Sequence, residues 1–169
     1  MELIQEIEHR QSTRVYQATP VENEKLERVL DAGRRAPSAK NRQPWRFIVL
    51  TESNIRSSIQ EAAFGQEHVG QAPVIIAMCT TNVDYRMPNG QHSHPMDLSF
   101  ACAFMMMQAE AEGLGNCVIT TFDEMEVKQQ LSVPYSMRIC MLLLIGYAGE
   151  NPLKAQRMPR NRVISYEHW

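Results

Sequence analysis

Apolar and polar positions along the chain alternate in short segments of two different periods. Leu3, Ile4 and Ile7 mark a short amphipathic helix, and Leu26, Val29, Leu30 and Gly33 recur at helical spacing. Pro37 ends that second helix, because a proline pushes the residue before it, Ala36, out of α geometry. Trp45 to Leu50 reads as a strand, and a helix follows from Ser53, a good N-cap, to Ala63. Pro73 to Cys79 is a nearly continuous apolar run, the pattern of a strand buried on both faces. A turn-rich loop from Thr80 to Pro95 carries Pro88-Asn89-Gly90. The spacing then predicts a long helix from Asp97 to Glu112, closed by Gly113 at its C′ position. Asn116 to Thr121 reads as a short strand, and Asp123 with Glu126 as the capping-box start of a helix to Leu131. Arg138 to Tyr147 is another buried strand, and residues 148–169 are polar, rich in arginine and proline, and without helical period.

Strands and helices that alternate this loosely predict an α+β or α/β fold around a central sheet. No repeat or low-complexity linker interrupts the chain, so residues 1–169 read as a single domain. The Asp97–Glu112 segment is apolar nearly all round, through Leu98, Phe100, Phe104 and Met105-Met106-Met107. Such a helix needs cover on every side, which a small chain supplies most readily with a second subunit.

Composition narrows the partners. A chain of 169 residues buries roughly 70% of its unfolded surface and needs no staples for a core. Its formal charge of −2 argues against general binding of nucleic acid or acidic membranes, which needs a basic excess. The acidic start, Met1-Glu2-Leu3-Ile4, is unlike a signal peptide, and the block from Cys140 to Ile145 falls far short of the about 20 residues that span a bilayer. A cytoplasmic protein is therefore expected. Cys79, Cys102, Cys117 and Cys140 lie in apolar stretches without a CxxC pair, as reduced, buried thiols do. His92-Ser93-His94 has only Asp97 nearby to complete a metal set and reads as a solvated loop.

Three clusters carry candidate chemistry. Arg10-Gln11-Ser12-Thr13-Arg14 sets two guanidiniums four apart among hydroxyls, a pattern able to hold a phosphate, though such stretches are more often solvated loops. Ala36-Pro37-Ser38-Ala39-Lys40-Asn41-Arg42-Gln43-Pro44-Trp45 places amides just before a strand. These amides suit the edge of a planar heterocycle, or they satisfy the backbone of an ordinary turn. Gly113-Leu114-Gly115-Asn116-Cys117 permits close backbone approach, or is simply a helix cap leading into a strand.

In this order and spacing the clusters resemble the nitroreductase family of FMN-dependent oxidoreductases, and the resemblance spans nearly the whole chain. The A-P-S-x-x-N-x-Q-P-W string is the most specific part; R-x-S-x-R, A-P-V-x-I, the Asp-led helix, G-L-G-x-C and the arginine tail support it. The resemblance implies a central mixed sheet flanked by helices, and a homodimer whose C-terminal tails exchange onto the partner. It implies FMN held through Arg10, Gln11, Ser12, Arg14 and Arg157 at the phosphate and ribityl chain. Pro37, Ser38 and Asn41 would reach the flavin of the other subunit, Thr120 and Thr121 would lie near its N5, and Gln66 would touch its pyrimidine edge. NAD(P)H and an acceptor such as a nitroaromatic or quinone would react in turn, with no catalytic side chain and no metal, because the flavin carries the chemistry. Dehalogenation, enoate reduction, flavin fragmentation and flavin binding without turnover are the alternatives on the same fold. The chain departs from the family pattern at Ala155, where a second basic residue is common, at Val118, often Trp, and at Thr121, often Gly. It also lacks the long insertion that covers the site in some relatives. The Thr80–Pro95 loop is expected to border the substrate pocket through Tyr85, Arg86 or His92.

Overall fold

Alternation inside the central apolar run sets the architecture. In β2 (Val74–Thr80), Ile75, Ala77 and Cys79 join one core layer, while Val74, Ile76 and Met78 join the other. All seven residues are buried. The computed structural model describes residues 3–169. Its sheet runs β1-β2-β4-β3, with β1 (Trp45–Leu50), β3 (Gly115–Ile119) and β4 (Arg138–Gly146) joined by antiparallel pairing throughout. The parallel component of a mixed sheet is confined to one bridge, Ser12 to Asn116.

Helices cover both faces. Ile59 and Ala62 of α3 (Ser53–Ala62), Val69 of α4 (Glu67–Gln71) and Val127 of α6 (Glu124–Leu131) pack on one face. Leu26 and Val29 of α2 (Asn23–Arg34), with Leu98, Ala101 and Met105 of α5 (His94–Ala111), pack on the other. Each of the larger of these side chains (Ile, Leu, Val, Met), when fully buried, contributes about 1.5–3 kcal/mol through the water it sheds. The short α1 (Gln5–His9) lies against α5. Gly33 allows α2 and α5 to meet closely, since a Cβ there would overlap Met105. Met105 therefore belongs to the core of its own chain, whereas Met106 and Met107 are only partly covered.

Several expectations change. α5 starts at His94, with Pro95 in its first turn, where a missing N–H costs nothing. The His92–His94 stretch is consequently not a solvated loop: His94 is buried, and its ring centre lies 5.5 Å from that of His92. The all-round apolar α5 is left open on one side within its own chain, as its pattern leads one to expect, with Met96, Phe100 and Phe104 40%, 42% and 44% exposed. Ser53 is the first residue of α3 rather than its N-cap, a position Glu52 fills without a side-chain bond. Asp123 does cap α6, its Oδ1 accepting the N–H groups of Met125 and Glu126 at 2.8 and 3.1 Å. α4 and α7 (Arg160–Val163) are too short to leave a period in the sequence. Cys79, Cys102 and Cys117 are buried, and all four thiols are free. Among the described residues no helix is long and apolar enough to cross a membrane.

Candidate active site

The N-terminal segment lies along the outer edge of β3. Thr13 donates its N–H to the Asn116 carbonyl at 3.0 Å, and a Cβ on Gly115 would overlap the Thr13 side chain. Glycine is thus needed there for the segment to lie flat against the strand. This seating carries Arg10, Ser12 and Arg14 to the edge, and among the described residues neither arginine pairs with a carboxylate. Gln11 Oε1 accepts the Ala155 N–H at 2.9 Å, so the start of the tail joins the same segment. Arg157 follows two residues later, exposed and likewise unpaired.

A cleft of about 160 Å³ opens beside this segment, lined by Arg14, Gln66, His68, Cys117, Val118, Ile119, Thr120 and Thr121. Gln66 donates through Nε2 to the carbonyls of Ala63 at 2.8 Å and Thr121 at 2.9 Å. Both amide hydrogens are thereby committed to bracing the turn after β3, and only Oε1 is left to meet a ligand. Thr120 and Thr121 lie past the end of β3 and are exposed, and their backbone N–H groups have no acceptor among the described residues. Burial, and then the charge of Arg14, hold His68 below its usual value, which keeps the imidazole neutral. Burial pushes the Cys117 thiol up, against the pull of Arg14 and Ser12, so it stays protonated and is no nucleophile. Sequence reasoning assigned no role to His68 or Cys117. The first rides on α4, which the pattern did not reveal, and the second reads simply as a core thiol.

Pro37, Ser38 and Asn41 are not in this cleft. They precede β1, at the opposite edge of the sheet, with β2 and β4 between. Three inter-strand gaps make that roughly 14 Å. Lys40, Asn41 and Gln43 all have positive φ, at 54°, 53° and 50°. Left-handed backbone costs a residue with a side chain roughly 1–2 kcal/mol, so the surroundings must hold it. Asp97, 2% exposed, accepts the Ala39 N–H at 2.8 Å, and Ser38 Oγ accepts the Gln43 N–H at 2.9 Å.

The family model described as Nitroreductase family matches residues 7–67 and 60–147, which include both edges of the sheet. The chain belongs to the nitroreductase family. A crystal structure of a nitroreductase family protein from Clostridium difficile 630 shares 32% identity at a TM-score of 0.88, covering 100% of each chain. A protein named NADH dehydrogenase from Thermus thermophilus is 30% identical over 92% of this chain and 91% of its own length. An FMN reductase [NAD(P)H] of Bacillus subtilis is 27% identical over 98% of this chain and 74% of its own length. The antiparallel sheet between two helical layers is thus the nitroreductase fold, and A-P-S-x-x-N-x-Q-P-W occupies its β1 edge.

Proposed function

We propose that this nitroreductase-family chain is an FMN-dependent NAD(P)H oxidoreductase that passes electrons to a small acceptor such as a quinone or nitroaromatic, in a ping-pong cycle. The observation that carries the reading is the donor set on the β3 edge: Arg10 and Arg14, which have no carboxylate partner among the described residues, the Ser12 hydroxyl beside them, and the N–H groups of Thr120 and Thr121, which have no acceptor there. Cations and a hydroxyl at one end and backbone amides at the other suit a phosphate joined to an electron-rich heterocycle. FMN fits that donor set. When bound, it supplies the redox chemistry, accepting a hydride from the nicotinamide and returning electrons to the acceptor.

The chain's own residues bind and orient. Arg10, Ser12, Arg14 and Arg157 hold the phosphate and ribityl chain, with Gln11 docking the tail beside them. Thr120 and Thr121 direct N–H groups toward the flavin, and Gln66 fixes their turn. Residues 1–169 work as one FMN-binding domain in the cytoplasm, and two copies make the enzyme. The single-chain cleft, about 160 Å³, is below the roughly 300 Å³ at which ligand pockets begin. Pro37, Ser38 and Asn41 therefore complete the site from a second chain. Two grooves support that assembly: one of about 630 Å³ between α2 and α5, and one of about 370 Å³ toward α1, both bordered by Phe104 and Gln108. The tail supports it too, since Leu153, Met158, Val163, Ile164, Tyr166 and Trp169 are exposed on their own chain and exchange onto the partner.

An absorbance spectrum of the purified protein tests the reading. Flavin bands near one per chain, bleached by NAD(P)H and restored by menadione, are expected. Colourless protein that takes up no FMN refutes the cofactor, and yellow protein that NAD(P)H cannot bleach refutes the reductase activity.

A further inference from the structure

The Thr80–Pro95 loop and the loop before β1 meet at one aromatic ring. The Arg42 guanidinium carbon lies 3.8 Å from the centre of the Tyr85 ring, and Lys40 Nζ lies 5.7 Å from the same centre. A π face attracts a cation, but two cations gathered at one ring repel each other. Neither has a carboxylate within ion-pair distance among the described residues, and neither side chain donates a hydrogen bond there. Several other cations are paired, Arg28 with Glu112, Arg34 and Arg35 with Asp31, Lys128 and Arg138 with Glu124, whereas Arg10, Arg14 and Arg157 of the proposed flavin site are not, among the described residues. Lys40 and Arg42 are set apart by their placement: in a protein of formal charge −2, two exposed cations gather at one aromatic ring.

The place is fixed by the backbone. Lys40 has φ 54°, and the bonds from Ala39 N–H to Asp97 and from Gln43 N–H to Ser38 hold the turn on either side of it. Tyr85 is held in turn by its own loop, where its carbonyl accepts the Ser93 N–H at 3.2 Å and Arg86 bridges to His92. The backbone beneath the cluster is thus held on both loops, and the cluster directly adjoins Ser38 and Asn41.

We infer that Lys40 and Arg42, seated on Tyr85, form a recognition patch for a phosphate monoester dianion, the 2′-phosphate of NADPH, and so make this chain prefer NADPH to NADH. The inference rests on the proposed use of NAD(P)H and names which nicotinamide nucleotide the site takes. A planar guanidinium offers paired donors to phosphate oxygens, and the ammonium adds a point charge beside it.

Calorimetric titration with adenosine 2′,5′-bisphosphate and with 5′-AMP tests the patch without any turnover. The wild-type protein is expected to bind the bisphosphate at least tenfold more tightly than 5′-AMP, with the difference shrinking as salt is raised. Arg42→Ala and Lys40→Ala should each reduce that preference to threefold or less. In the flavin-loaded enzyme, Arg42→Ala should raise KM for NADPH about tenfold and leave KM for NADH within threefold. Equal binding of the two nucleotides by the wild type, or an undiminished preference in both variants, overturns the inference. Flavin content, measured separately on the same preparations, judges the cofactor assignment, so the two failures are distinguishable.

Discussion

The two edges of the sheet are built in opposite ways. At the β3 edge the N-terminal segment is laid down by backbone pairing, Ser12 against Asn116 and Thr13 against a glycine, and its side chains are left free. At the β1 edge the loop forms no β-bridge among the described residues. It is bent through three residues of positive φ and tethered from beneath by Asp97 of α5. The first edge presents chemistry on a relaxed backbone, and the second presents it on a strained one. Each carries only part of the string of motifs by which the sequence resembles the family, with two strands between them. In the proposed dimer the two edges meet from different chains, and the exposed phenylalanines of α5 are where those chains would join.

Breaking the junction should have the largest effect. Phe104→Glu places a charge in both grooves, and we expect light scattering to report monomers that lose flavin affinity by well over tenfold. Dimers with full flavin occupancy would show that the two edges need no joining at α5. Next comes the β3 edge. Arg10→Ala and Arg157→Ala each remove a charge-assisted bond of about 1.5–3 kcal/mol, so the Kd for FMN should rise roughly 10- to 100-fold. Unchanged FMN release from both variants would remove the phosphate from this edge.

The β1 edge answers to Asp97. Asp97→Ala leaves the Ala39 N–H without its acceptor, at a cost of about 1–3 kcal/mol in denaturant unfolding, and Asp97→Asn should recover most of the loss by keeping an acceptor oxygen. Equal losses in the two variants would mean the bond does not tether the loop. The smallest effect lies outside both edges. The hydrogen bonds of Arg28 hold the Glu112 carboxyl down to about 2. Its folded value is below the unfolded one, so its contribution is present above about pH 4.5 and is lost as pH falls toward 2. The Tm of the wild type should decline over that window, and Arg28→Ala should decline less.

Much of the fold was legible because local chemistry wrote it. The two-sided burial of β2 shows in an unbroken apolar run, the cap of α6 in Asp123, and the end of α5 in Gly113. α4 left no trace, since five residues cannot display a period, and with it His68 went unplaced beside Arg14. The start of α5 was misjudged by three residues because Pro95 and two histidines look like loop when their burial is unknown. Gln66 was legible as an amide in the right region, but its hydrogens turned out to be spent on Ala63 and Thr121.

The sequence by itself determined the longer elements, the two-sided burial of β2 and the family, because each depends on residue type and short-range spacing. Only the tertiary structure decided that Arg14 and Ser38 lie at opposite edges, and that Arg42 rests on Tyr85 across a gap of more than forty residues in the chain. Strand order and loop-to-loop contact follow from non-local packing, the free energy of burying two faces of one sheet at once. No local pattern encodes that choice in readable form.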